Sequence, residues 1–191
     1  WGTGSLVLLA GEPGIGKTTL LEQVETHARK RGLTVHSARS PAAAGAPAFW
    51  PWTQVLESVA ASLEDDGLLR ATAGAAAPVA QLSPSIAQRT GRNLPLTGDS
   101  PQALRFVLYE AVSTFLNQAG VAATTVITLD DIQWADLPSL ELLSYLTPTL
   151  QTRRLMVVAA YRNLAADSTE ALTATLATVS REDAADEISL T

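Results

Sequence analysis

The sequence predicts a three-layer α/β domain built on a five-stranded parallel sheet. Three observations lead to this fold class: short apolar runs alternate with helical patterns, the runs are apolar throughout, and a Gly-rich loop joins the first run to the first helix. Continuous apolar runs are typical of strands buried on both faces, and their alternation with helices covers a parallel sheet on both sides. With 191 residues, 47% hydrophobic and 17% charged, the chain can form one domain with a sizeable core.

The predicted strands are short runs that separate the helical patterns. They are Ser5–Ala10, Leu33–Ala38, Thr125–Leu129, Leu155–Tyr161 and Glu187–Thr191. The fifth run has the weakest apolar character of the set, so its bounds are the least defined.

Helices are predicted where apolar residues recur every three or four positions. They are Lys17–Arg31, Trp52–Leu63, Pro101–Asn117, Leu137–Leu150 and Ser168–Val179. Gly32 stops the first helix, Ser100 caps the third, and Asp136 caps the fourth. The stretch Asp65–Asp99, rich in Ala, Gly, Pro and Thr, predicts only partial helix and loop.

The loop between the first strand and the first helix is a complete G-x-x-x-x-G-K-[ST] phosphate-binding motif. Its residues are Gly11, Glu12, Pro13, Gly14, Ile15, Gly16, Lys17 and Thr18, and Thr19 completes the predicted nucleotide site. The glycines let successive N–H groups point at phosphate oxygens, and the helix start adds its positive end. Lys17 is expected to reach the β- and γ-phosphates, and Thr18 to hold Mg²⁺. The sequence therefore predicts a P-loop NTPase fold that binds a nucleoside triphosphate.

The third predicted strand ends in two adjacent acids, Asp130 and Asp131. Ligands of open α/β sheets sit beyond the carboxyl ends of the strands, so Asp130 is predicted to serve the Mg²⁺ shell and Asp131 to act as general base. Alternatively, the two acids form only a turn or a helix cap. The phosphate-binding motif earlier in the chain favours the metal and base roles over this alternative. Asp130 lies 113 residues after Lys17, which leaves room for an intervening strand. This spacing favours the sheet order 5-1-4-3-2.

The segment Leu129–Asp136 resembles the Walker B region of signal-transduction ATPases with numerous domains, the STAND class. Within that class it is most similar to the ATPase module of large bacterial transcriptional regulators with a LuxR-type or SARP-type DNA-binding end. Phe49–Trp52, Ser100–Phe115 and Val158–Arg162 fit the same pattern. The resemblance covers nearly all of the chain except Asp65–Asp99, and it implies an AAA+/STAND-like fold.

The resemblance also implies a function. It indicates a regulatory switch that binds ATP or ADP with Mg²⁺, hydrolyses ATP slowly, communicates with neighbouring domains and self-associates on ATP binding. Residues 1–191 are then expected to be one ATPase domain of a longer protein, with the helical lid, winged-helix segment and output domains elsewhere. A chain that begins at Trp1 rather than Met agrees with this expectation.

Arg162 follows the fourth predicted strand, beside the expected phosphate pocket. Its position alone leaves two interpretations open. It can sense the γ-phosphate through charge-assisted hydrogen bonds, or it can be a surface arginine that pairs with Asp130 or Asp131. The resemblance favours the sensor.

Two other functions remain open on the sequence. One is a binding-only module without hydrolysis. The other is a small-molecule phosphotransferase, which would need an acceptor pocket and an arginine-rich lid, whereas Asp65–Asp99 offers only Arg70, Arg89 and Arg92. The tandem acids indicate water activation instead. Neither an LSGGQ signature nor a DEAD box is present, which argues against a transporter or helicase motor.

Charge and composition exclude further classes. The net charge is −6 and no basic cluster exceeds Arg29–Arg31, so direct nucleic-acid contact by this segment is not expected. The absence of cysteine excludes disulfides and thiolate metal sites and fits the cytoplasm. No apolar run approaches the ~20 residues of a membrane helix. His27 and His36 lack metal-ligand spacing and are expected to be structural or solvated rather than catalytic.

Overall fold

The computed structural model describes residues 4–42, 45–92, 100–164 and 167–191. Five strands form one parallel sheet: β1 (Ser5–Gly11), β2 (Thr34–Arg39), β3 (Thr125–Asp130), β4 (Leu155–Arg162) and β5 (Ala185–Ser189). Their order across the sheet is β2-β3-β4-β1-β5. This is the predicted order 5-1-4-3-2 seen from the opposite edge, so the predicted P-loop α/β fold is confirmed.

Eight α-helices occur in the described part of the chain. They are α1 (Lys17–Lys30), α2 (Trp50–Ser62), α3 (Asp65–Ala71), α4 (Ala76–Leu82), α5 (Pro84–Thr90), α6 (Pro101–Ala122), α7 (Leu137–Leu146) and α8 (Glu170–Val179). The stretch predicted as partial helix and loop therefore holds three short helices, while residues 93–99 lie outside the described part. None of the described helices is both long enough and apolar enough to cross a membrane.

The two faces of the sheet carry cores of unequal size. Successive strand residues point to opposite faces. Leu6 and Leu8 of β1 join the large core, which also contains the fully buried Trp52 of α2 and Phe115 of α6. Leu9 belongs to a small cluster against α1 instead. The helices between β2 and β3 thus build most of the interior on one side, and α1 covers the other.

Glu25 attaches α1 to the sheet. Its Oε1 accepts hydrogen bonds of 2.6 Å from Ser37 Oγ on β2 and 2.6 Å from Thr128 Oγ1 on β3. Glu25 also forms an i,i+4 ion pair with Arg29 of α1, at 3.2 Å. Because α1 starts directly after the phosphate loop, these bonds fix the loop relative to the strands.

Several element ends differ from the predicted ones for identifiable reasons. The helix predicted over Leu137–Leu150 ends at Leu146 and continues as a 3₁₀ segment, Thr147–Thr152, because Pro148 has no N–H to donate. The predicted strand Glu187–Thr191 is shifted to Ala185–Ser189, where it pairs with β1 at the sheet edge. Edge strands tolerate exposed acids, which explains its weak apolar pattern.

The last residues of four strands meet at one edge of the sheet. In the strand registers, Gly11 at the end of β1 lies opposite Arg162 of β4, and Arg39 at the end of β2 lies opposite Asp130 of β3. This is the edge where ligands of open α/β sheets are found.

Candidate functional site

The phosphate loop presents open backbone at the start of α1. Gly16 caps the helix at φ 107°, a left-handed conformation that favours glycine, and no side chain caps the first turn. A Cβ added at Gly16 would meet no atom within 4 Å. The first N–H groups of a helix have no partners within it, so this loop can accept an anion.

Lys17 is held against the same loop. Its side chain is buried, and Nζ donates hydrogen bonds to the carbonyl oxygens of Gly11 at 2.9 Å and Glu12 at 2.8 Å. Burial, and then the charge of Arg162, lower the pKa of Lys17, while Asp131 and Asp130 oppose the shift. The ammonium group of Lys17 therefore lies against the phosphate loop and close enough to Arg162, Asp131 and Asp130 to interact with their charges.

Thr18 and Asp130 form a direct contact between the two predicted motifs. Thr18 Oγ1 donates to Asp130 Oδ2 at 2.9 Å, and Asp130 Oδ1 accepts from the backbone N–H of Asp131 at 3.0 Å. These two hard oxygens suit Mg²⁺, which usually takes few protein ligands and completes its shell with water and phosphate. The described residues contain no group of three or more His, Cys, Asp or Glu able to hold a metal, so a cage made only of protein is not available there.

Asp131 is buried at the centre of a hydrogen-bond network. Oδ2 accepts from Arg39 Nη2 at 2.6 Å and from Arg39 Nε at 3.0 Å, and Oδ1 accepts from Gln133 Nε2 at 2.8 Å. Its backbone is left-handed, with φ 57°. Burial alone would raise the pKa of Asp131, but the hydrogen bonds from Gln133 and Arg39 and the charges of Arg39 and Arg162 outweigh it and lower that pKa.

Sequence reasoning missed Arg39 and Gln133. Arg39 lies opposite Asp130 in the β2–β3 register, so the predicted strand order held the signal that would have found it. The Asp131 carboxylate raises the pKa of Arg39 through its hydrogen bonds and charge. Gln133 stands within the Walker B segment, but its residue type alone indicated no partner.

Arg162 lies beside the network rather than apart from it. Its Nε is 3.7 Å from Asp131 Oδ1 and its Nη1 is 3.8 Å from Asp167 Oδ2, and about a third of its side chain is exposed. Its backbone N–H donates to Gln133 Oε1 at 3.2 Å. The guanidinium therefore faces both the pocket and a carboxylate, and the geometry is compatible with either predicted role.

The predicted residues surround one pocket of about 280 Å³. It is lined by Pro13, Gly14, Gly16, Lys17, Thr18, Thr19, Arg39, Asp131 and Arg162. Of the other predicted residues, Gly11 is buried beneath the loop, Glu12 and Ile15 are exposed on it, and Asp130 reaches the pocket through Thr18. The structure thus brings the two motifs and Arg162 together.

Residues 2–158 match the family described as AAA ATPase domain. The match spans most of the chain, and the chain belongs to this family. It is therefore a P-loop domain of an ATPase family with the AAA+ arrangement of strands. No curated protein matches the chain.

Solved structures with a similar fold include chains of Drosophila ORC and of a bacterial DnaA. A chain of Drosophila ORC bound to DNA has 10% identity and a TM-score of 0.51, over 98% of this chain and 81% of that one. A chain of Drosophila ORC bound to GC-rich DNA and Cdc6 has 12% identity and a TM-score of 0.46, over 98% of this chain and 50% of that one. AMPPCP-bound DnaA from Aquifex aeolicus has 14% identity and a TM-score of 0.37, over 97% and 39%. At such identities the likeness concerns the fold alone.

Proposed function

We propose that this domain binds ATP with Mg²⁺, hydrolyses it slowly, and serves as the regulatory switch of a multidomain bacterial transcriptional regulator of the STAND class. One observation carries the proposal: the phosphate loop shares a single pocket of about 280 Å³ with Arg39, Asp131 and Arg162, at the edge of the sheet where four strands end. The family match supports the ATPase assignment, and the Walker B segment Leu129–Asp136 supports the narrower class.

In this proposal the loop and Lys17 bind the nucleotide phosphates. The open N–H groups at the start of α1 donate hydrogen bonds to phosphate oxygens. Lys17 gives up its hydrogen bonds to the loop carbonyls and binds the β- and γ-phosphates instead. Thr18 and Asp130 hold Mg²⁺. When bound, the metal offsets the negative charge on the β- and γ-phosphate oxygens.

Asp131 is the proposed general base. A water attacks the γ-phosphorus, its proton passes to the Asp131 carboxylate, and the bond to the β-phosphate oxygen breaks to leave ADP and phosphate. Oδ1 accepts one hydrogen bond from Gln133 and a carboxylate oxygen can accept two, so Oδ1 can accept a second from that water once Arg162, at 3.7 Å, turns toward the γ-phosphate. The network that lowers the pKa of Asp131 also makes it a weak base, which supports slow turnover.

The switch itself is proposed from the resemblance. Arg162 contacts the γ-phosphate in the ATP state and loses that contact in the ADP state, and neighbouring domains, self-association or both report the difference in the cytoplasm. DNA contacts are placed outside residues 1–191, because the net charge of −6 offers no basic face. Tight, salt-sensitive binding of this domain in a low-salt gel shift would contradict that placement.

One observation favours a binding-only switch as the second candidate. Arg39 occupies Oδ2 of Asp131 with two donors, and a carboxylate so engaged accepts a proton less readily. If Arg39 keeps this pairing with ATP bound, the domain binds nucleotide without turning it over. Phosphate release from the full-length protein separates the two candidates.

Nucleotide binding is tested by Lys17→Ala in titration calorimetry. Hydrogen bonds to charged groups contribute about 1.5–3 kcal/mol, so affinity for ATP should fall roughly ten- to a hundredfold. Lys30→Ala, at the exposed end of α1, is the matched control and should bind as the wild type does. Unchanged binding by Lys17→Ala would contradict the phosphate site.

Hydrolysis is tested by Asp131→Asn. Mg·ATP should stay bound because Thr18 and Asp130 are intact, while phosphate release slows by about 10²-fold or more, the effect of losing a general base. Asp186→Asn, on exposed β5, serves as control. A wild-type protein that releases no phosphate supports the binding-only candidate, and full activity in Asp131→Asn assigns the base elsewhere.

A further inference from the structure

Gln133 carries a buried amide that contacts two residues lining the pocket, Asp131 and Arg162, and only 2% of the residue is exposed. It lies on the 3₁₀ turn Ile132–Trp134 that follows β3. Its Nε2 donates to Asp131 Oδ1 at 2.8 Å and its Oε1 accepts from the backbone N–H of Arg162 at 3.2 Å. The two ends of the amide cannot be interchanged, because an ionised carboxylate only accepts and a backbone N–H only donates.

These two bonds connect strand ends that the sheet itself no longer pairs. The β3–β4 register runs as far as Leu129 opposite Ala159, three residues before Arg162. Beyond that point the chain of β3 turns away through Asp131, whose φ is 57°. The Gln133 side chain bridges the gap and gives the Arg162 N–H a partner at this level of the sheet.

The two sides of Asp131 are held by groups of unequal exposure. Oδ2 is held by Arg39, whose side chain is 63% exposed, whereas Oδ1 is held by the buried Gln133. The ion pair with Arg39 is partly buried and holds Oδ2, whereas Oδ1 accepts its hydrogen bond from the amide of Gln133. The direction of Oδ1 therefore depends on the buried amide as well as on Arg39.

We infer that Gln133 is a positioning residue of the hydrolysis step, which fixes the Asp131 carboxylate relative to the main chain that carries Arg162. The inference rests on the proposed function, because it assigns Gln133 to the same reaction. Gln133 itself contacts neither phosphate nor metal. The amide thereby holds the proposed base in a fixed position relative to the end of β4, the strand end that also carries the Arg162 guanidinium.

The test measures steady-state ATP hydrolysis by the full-length protein with two isosteric changes. Gln133→Met removes both hydrogen bonds. Gln133→Glu keeps an acceptor for the Arg162 N–H but places an oxygen against Asp131. Both should lower kcat roughly ten- to a hundredfold, as misplacing a catalytic group by about 1 Å does, while KM changes by less than about twofold. ADP affinity, measured by calorimetry, should stay at the wild-type value.

A second comparison separates positioning from packing. In the Asp131→Asn background the further change Gln133→Met should leave kcat within about twofold, because its effect passes through Asp131. Ile132→Val, a buried change on the same turn, is the matched control and should not reproduce the loss. Should either isosteric variant fail to fold, Gln133→Asn, which is too short to reach both partners, replaces it.

The possible outcomes distinguish the inference from the proposed function. Wild-type kcat in Gln133→Met, or an equal loss in both backgrounds, overturns the positioning role while leaving the hydrolysis proposal intact. A wild-type protein that binds ATP but releases no phosphate overturns the hydrolysis proposal, and the inference with it. A loss confined to kcat and absent from the Asp131→Asn background supports the inference.

Discussion

The guanidinium of Arg162 lies between the phosphate pocket and the carboxylates of Asp131 and Asp167, at distances of 3.7 and 3.8 Å. Neither distance is that of a short ion pair, so the group is free to reorient toward a ligand. The same geometry also allows Arg162 simply to balance the negative charge of the neighbouring acids. The γ-phosphate sensor and the charge-balancing role differ in whether only ATP, or both ATP and ADP, depend on the arginine for their affinity.

Arg162→Ala distinguishes these roles in calorimetric titrations with ATP, a slowly hydrolysed ATP analogue and ADP. A γ-phosphate sensor touches only the triphosphates, so their affinity should fall by about 1.5–3 kcal/mol while ADP binding stays nearly unchanged. Arg154→Ala, an exposed change just before β4, is the control. Equal losses for ATP and ADP would show instead that Arg162 only offsets the charge of the neighbouring acids.

At the level of elements, Asp136 joins the starts of two helices. Its Oδ1 accepts from the backbone N–H of Ser139, which caps α7 as predicted, and its Oδ2 accepts from Ser139 Oγ at 2.6 Å and from the Phe49 N–H at 3.1 Å. Phe49 caps α2 in a left-handed conformation, φ 64°. Trp52 of α2 adds a bond from Nε1 to Ser139 O at 2.9 Å. The start of α2 is thereby fastened to the segment that follows the Walker B strand.

Asp136→Ala should lower the free energy of unfolding by about 2–3 kcal/mol, because it removes a helix cap and leaves the Phe49 N–H without its acceptor. Urea denaturation measures the change. Ser100→Ala is the matched control, since within the described residues Ser100 Oγ accepts from the Ala103 N–H alone, at 3.1 Å, and the loss of such a cap costs typically about 1 kcal/mol. If Asp136→Ala lowers the free energy of unfolding by no more than Ser100→Ala does, the hydrogen bond from Phe49 to Asp136 contributes nothing to stability.

The sequence was most informative where geometry is local. The phosphate loop is a strand, a turn and a helix in direct succession, so its motif predicts the placement of Lys17 and Thr18. Asp130 could be placed because parallel strands end at one edge. The predicted strand order places Arg39 beside Asp130 as well, but its hydrogen bonds to Asp131 depend on how a long side chain turns, which the order does not predict. The seven-residue helices α3, α4 and α5 are too short for local periodicity to identify.

On the scale of the whole molecule, stability should depend on the charge of one buried histidine. His36 on β2 is 3% exposed and its Nδ1 lies 2.8 Å from Ser58 Oγ of α2. It borders a cavity of about 140 Å³ between the sheet, α2 and α6. Burial, together with the charge of Arg29, lowers the pKa of His36 from 6.5 to about 4.

The sign of the resulting pH effect follows from linkage. The unfolded chain binds a proton at His36 near pH 6.5, whereas the folded protein does so only near pH 4. Protonation between these values favours the unfolded state, so the urea midpoint should fall as the pH is lowered from about 6.5 to about 4. His36→Gln should show a shallower decline over this interval. A decline identical to that of the wild type would assign the pH dependence to other groups.

The place of β1 in the sheet has a consequence for biosynthesis. Ser5–Gly11 is translated before the other strands, yet its two neighbours in the sheet are Leu155–Arg162 and Ala185–Ser189. Pairing between segments so distant in sequence forms late. During synthesis, the phosphate loop therefore follows a strand that has not yet paired with any other strand. We therefore expect ribosome-bound chains stalled before Leu155 not to bind ATP.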